Sequence, residues 1–155
     1  YARDMGALPA PLQRVSGVHV ETLVGQMEGG FPLDTVDETR WVRAQLEPTA
    51  AQRPFGVVAY LHLARDTSAA ELLLQQHIGA SGGRLRGVRM ILNHHPDNPD
   101  LTWPQVESGA LLRHPILPQG LALLERHNLL LASLFSKLLL HELRLFVLEL
   151  APNGR

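Results

Sequence analysis

Continuous apolar runs alternate along this chain with segments whose apolar residues recur at helical spacing. "VSGVHVE" (Val15 to Glu21) is short and rich in β-branched residues, and reads as a strand. "GGFPLDT" follows as a loop, broken by Gly29, Gly30 and Pro32. "DETRWVRAQL" (Asp37 to Leu46) predicts a helix, with acids in the first turn where the helix dipole favours them. "PFGVVAYLHL" (Pro54 to Leu63) is an apolar run of buried-strand type. "DTSAAELLLQQHIGA" predicts a second helix, capped by Thr67 or Ser68 and stopped at Gly79. "RLRGVRMIL" is a third strand, followed by a long loop from Asn93 to about Pro115 and a helix from Pro118 to Asn128. "NLLLASLF" can begin a fourth strand, although a Leu-rich run without β-branching fits a helix equally well.

Strand, helix, strand, helix, strand, helix is the order of an α/β protein. Strands that are continuously apolar, and joined by helices, imply a parallel sheet buried on both faces.

Composition narrows the picture. The 155 residues suffice for one domain with a sizeable core, and 19% charged against 45% hydrophobic residues is a globular balance. A formal net charge of −1, with acids and bases interspersed, gives nucleic acid little to bind. The chain has no cysteine, which excludes disulfides and thiolate metal sites and fits a reducing, cytoplasmic setting. The longest apolar stretch, Leu129 to Leu150, contains Lys137, Glu142, Arg144 and Glu149. A membrane span needs about 20 mostly apolar residues with few or no charges, so a buried helix is expected there and no membrane partner.

In parallel α/β folds ligands bind at the carboxyl ends of the strands. That rule selects His19 and Glu21 after the first strand and His62 after the second. Arg89 ends the third, with Asn93, His94 and His95 just beyond. Histidine supplies imidazole for a metal or a proton, and Arg89 a rigid fork for a carboxylate. Each has a structural reading as well. His19 can be a hydrogen-bonded core histidine. Arg89 on a buried strand must be neutralised, by Glu21, by another acid or by a ligand anion. Adjacent His94 and His95 point to opposite sides of an extended chain, and their Pro and Asp neighbours are turn formers. His114, His127 and His141 are expected on solvated faces or at helix ends, and Trp41 and Trp103 as packing anchors. No H-x-H, H-E-x-x-H, G-x-S-x-G, Walker or G-x-G-x-x-G motif is present.

Several segments, in order, resemble the amidohydrolase-related TIM-barrel hydrolases, in the branch of sugar-acid and 2-pyrone-4,6-dicarboxylate lactonases. "VSGVHVE" is similar to that branch's second barrel strand, "DETRWVRAQ" to the next helix and "PFGVVAYLHL" to the third strand. "LRGVRMILNHHPDNPDLTW" is similar to the strand and loop with the G-[VI]-R signature, here Gly87-Val88-Arg89, and "LPQGLALLERHNL" to the helix after it. The resemblance spans residues 15–129 and leaves 130–155 as a divergent tail.

It implies a partial (β/α)8 barrel forming a single domain over 1–155. About three to four of eight units are supplied, since the whole fold takes about 250 residues. It implies a hydrolase that adds water to a lactone or related carbonyl, with zinc or manganese in the full-length family. Arg89 would hold a small carboxylate or lactone substrate, and His19, Glu21, His62, Asn93 and His94 would line its pocket. The family's first-strand H-x-H and its later catalytic strands have no counterpart here, so an inactive fragment held by self-association or a partner is the alternative. Unpaired sheet edges would favour a homo-oligomer. Lys137, His141 and Arg144 would form a narrow polar stripe on the final helix.

Overall fold

A computed structural model describes residues 15–22, 27–28, 31–32, 35–51, 53–95, 97–103, 106 and 109–133. The tail with Lys137, His141 and Arg144 lies outside them.

The main sheet has four parallel strands, β1 (Gly17–Val20), β4 (Phe55–Tyr60), β5 (Leu85–Arg89) and β6 (Leu130–Ala132), in that spatial order. A separate antiparallel pair is formed by β2 (Met27–Glu28) and β3 (Phe31–Pro32), β3 falling in the segment read as a loop and β2 just before it. Three α-helices connect the main strands: α1 (Thr35–Leu46), α2 (Thr67–Ser81) and α3 (Leu117–Arg126). The fold is thus α/β with a parallel sheet, and the Leu-rich run after Asn128 does enter a strand.

Each main strand pairs with the next main strand along the chain. The order never reverses, so right-handed crossovers place every connecting helix on the same face. The core agrees. One cluster unites Val42 of α1, Leu74 of α2 and Leu123 of α3 with the alternate residues Phe55, Val57 and Ala59 of β4. The other face carries the register row Val20, Val58, Gly87 and Leu130. There Val18 is 60% and Leu130 72% exposed. Among the described residues the three helices pack on one face; on the other, Val18 and Leu130 are exposed while Tyr60 is buried, where the apolar runs predicted burial on both.

Local chemistry explains the boundaries. Asp66, rather than Thr67 or Ser68, caps α2, its carboxylate accepting from the Ala69 N–H at 2.8 Å. The helix passes Gly79 and stops at Gly82, whose φ of 59° is the left-handed conformation a helix end uses. Gly87 is required by packing: a Cβ there would lie 2.5 Å from the Leu130 carbonyl oxygen, so glycine lets β6 approach β5. A bulge between Val57 and Val58 shifts the register beside it. The loop after β5 is broken by two short 3-10 turns, Pro99–Leu101 and Gly109–Arg113. Trp41 is not a packing anchor; it is 61% exposed on α1. No helix among the described residues is long and apolar enough to cross a membrane.

Candidate functional site at the carboxyl ends of the strands

Parallel strands end together, and here polar residues follow at once. Glu21 comes directly after β1, Tyr60 ends β4 with His62 two residues on, and Arg89 ends β5.

Arg89 and Glu21 meet across the end of β4. The Arg89 Nε–H donates to Glu21 Oε1 at 2.5 Å, and Nη2 donates to the Glu21 backbone carbonyl at 2.7 Å. Two bonds to one residue fix the plane of the guanidinium. Glu21 is 3% exposed, whereas the Arg89 side chain is 26% exposed. Of the neutralising partners open to Arg89, Glu21 is the one in place. The second carboxylate oxygen, Oε2, is buried with no hydrogen-bond partner among the described residues. Burial raises the Glu21 pKa above its usual value against the opposing pull of Arg89.

His19 leaves β1 on the helix-covered face, in register with Val57, while Arg89 is in register with Tyr60 on the other. His19 Nε2 lies 2.9 Å from Glu38 Oε1 of α1. Thr22 donates to the same oxygen through its N–H at 2.8 Å and its hydroxyl at 3.1 Å. His19 is therefore a hydrogen-bonded, half-buried histidine. It reaches the Arg89 region through the charge it exerts, with Glu38, on Glu21.

Burial pushes the Tyr60 hydroxyl up to about 12, so it stays a neutral donor at ordinary pH. His62 is driven down to about 4, first by burial and then by the charge of Arg65, and its imidazole is neutral near pH 7. Its Nδ1 is buried without a hydrogen-bond partner among the described residues.

The loop residues divide from this group. The Asn93 amide donates to the Leu101 carbonyl at 2.8 Å, and its own carbonyl accepts from the Trp103 N–H. The His95 N–H donates to the Thr102 hydroxyl, which donates back to the His95 carbonyl, and His95 Nδ1 accepts from the Asp97 N–H. Both residues close the loop on itself. His94 is half-buried beside them, as are His114 and Trp103 further on. His127 caps the end of α3, as expected of a helix-end histidine.

Glu38, Thr22, Tyr60 and Arg65 were missed by reading strand ends alone. For Glu38 a signal existed. Thr35, Glu38, Thr39 and Val42 recur at i, i+3, i+4 and i+7, the spacing of a buried helical stripe, and all four are buried. The same stripe takes up His77 of α2, fully buried between the Thr35 hydroxyl at 3.1 Å and the Thr39 hydroxyl at 2.9 Å. His77 thereby joins the two helices through polar contacts.

No family model, no curated protein and no solved structure matches this chain. Among the described residues, no group of three or more His, Asp or Glu side chains is arranged to hold a metal ion.

Proposed function

We propose that the chain is part of a singly wound (β/α)8-type barrel hydrolase of the amidohydrolase class, acting on a lactone or related cyclic carbonyl from a cytoplasmic setting. The observation that carries this reading is the meeting of Arg89 and Glu21 at the carboxyl ends of two strands that flank a third. Unreversed strand order with helices on one face supports the barrel, because a closed barrel keeps its helices outside and its open face within.

In this reading Arg89 presents Nη1, which has no partner among the described residues, to the substrate's carboxylate or lactone oxygen. Neutral His62 and the Tyr60 hydroxyl lie at the neighbouring strand end, where they orient the ring oxygen or the attacking water. The zinc or manganese of the resembling family finds no donor set among the described residues, and no step is assigned to it.

The test is hydrolysis of a panel of sugar-acid and pyrone lactones, with and without added zinc or manganese, beside an Arg89→Lys variant that keeps charge but loses the fork. Turnover lost in the variant supports the reading. Turnover indifferent to the variant overturns it; turnover absent in folded protein places the catalytic strands outside this part of the barrel. One observation favours a second reading, a non-catalytic chain stabilised by association with another copy: Val18 and Leu130 are exposed on the sheet face away from the three helices. Sedimentation that finds only monomer removes that reading.

A further inference from the structure

The geometry points to a proton-coupled anion site: Arg89 binds a carboxylate-type anion together with a proton, and Glu21 is the group that takes the proton. This rests on the reading of Arg89 as the ligand-binding residue and adds what controls its charge.

Arg89 already has a counter-ion. With Glu21 ionised, the pair is neutral, and an incoming anion gains hydrogen bonds from Nη1 but little net charge attraction. Glu21 has a place for a proton that leaves this geometry intact. Oε1 accepts from Arg89 Nε in either protonation state, and the buried Oε2 has no partner among the described residues to lose. Protonation at Oε2 therefore releases the charge of Arg89 without moving the guanidinium, which stays tied to the Glu21 backbone carbonyl.

The groups facing Glu21 favour this choice of proton carrier. Glu38 on α1 has one oxygen engaged by both Thr22 donors and by His19. Glu21 has no such donors on Oε2. Arg89 from β5 and His19 from β1 pull against the proton, whereas Glu38 and burial favour it, and burial is the largest influence. Tyr60 of β4, with Arg65 beyond it, stays a neutral hydroxyl throughout.

The probe is trifluoroacetate, a carboxylate that remains ionised throughout, with binding followed by fluorine NMR. In the wild-type chain affinity should rise as pH falls from neutral, by at most about tenfold per pH unit for one proton. Glu21→Gln should bind with no pH slope, and at neutral pH more tightly than the wild type. A flat wild-type profile, or a slope retained in Glu21→Gln, overturns the proposal. Should that variant not fold, calorimetry of the wild type in two buffers of different ionisation enthalpy decides. Proton uptake accompanying the anion supports the coupling, and zero uptake overturns it. Binding without uptake leaves Arg89 as the ligand residue; no binding at any pH overturns both readings.

Discussion

Arg89 reaches across the end of β4 and holds both the side chain and the backbone of Glu21. Removing the arginine strands a buried carboxylate, and leaving a buried charge unpaired is one of the few routes to a large loss of stability. Because the Arg89 side chain is partly exposed, Arg89→Ala should cost about 1–3 kcal/mol near neutral pH, by urea unfolding. The loss should shrink as pH falls and Glu21 takes a proton. A pH-independent loss would mean that packing, not charge, is what Arg89 contributes.

His62 gives the opposite response to acid. Its ordinary pKa of 6.5 falls to about 4 in the fold, so between these values the unfolded chain binds the proton better. Stability from this residue is complete above 6.5 and is lost progressively as pH drops toward 4, by up to about 3 kcal/mol. Glu21, with its raised pKa, contributes a slope of the other sign, so the comparison is with His62→Gln. That variant should lack the acid loss. Identical urea midpoints across this interval would exclude the effect.

Gly120 lies against Leu63, and a Cβ at position 120 would run into the Leu63 carbonyl and side chain. Main-chain atoms cannot swing aside as a flexible side chain can. Gly120→Ala should therefore destabilise the chain by about 1–3 kcal/mol, despite alanine's better helix propensity. Gly79→Ala, in open space on α2, should be neutral or stabilising. Thermal melts of the two variants should move in different directions.

Asp66 carries the cap of α2 alone. Asp66→Ala should cost about 1 kcal/mol, whereas Ser68→Ala should cost less than half of that. Equal losses in chemical unfolding would return the cap to the predicted residues.

Much of the frame was legible because it depends on patterns that local physics enforces. The apolar runs around Val57 and Val88 became neighbouring parallel strands, and the periodic segments between became helices. What escaped was relational. "DTS" offers three cap residues, and only the position of the Ala69 N–H selects Asp66. Trp41 sits beside the buried Val42, yet it faces solvent, because the buried stripe of α1 runs through Thr35, Glu38, Thr39 and Val42. For the site, Glu21, His62 and Arg89 do follow or end the strands, as the apolar runs indicated. Those runs could not show that Arg89 arrives already neutralised, nor that Asn93 and His95 spend their hydrogen bonds on their own loop.

The unreversed strand order also has a consequence in time. Each main strand finds its partner one crossover away in the chain, never across the whole molecule. Loop closure is then paid in small, similar steps, and a chain leaving the ribosome can dock each new unit on one already formed. β1 can stand ready when β4 emerges, and β5 when β6 does. Such a sheet grows by extension from its last strand, so a substitution at Gly87 should stall the addition of β6 while leaving the earlier pairings to form.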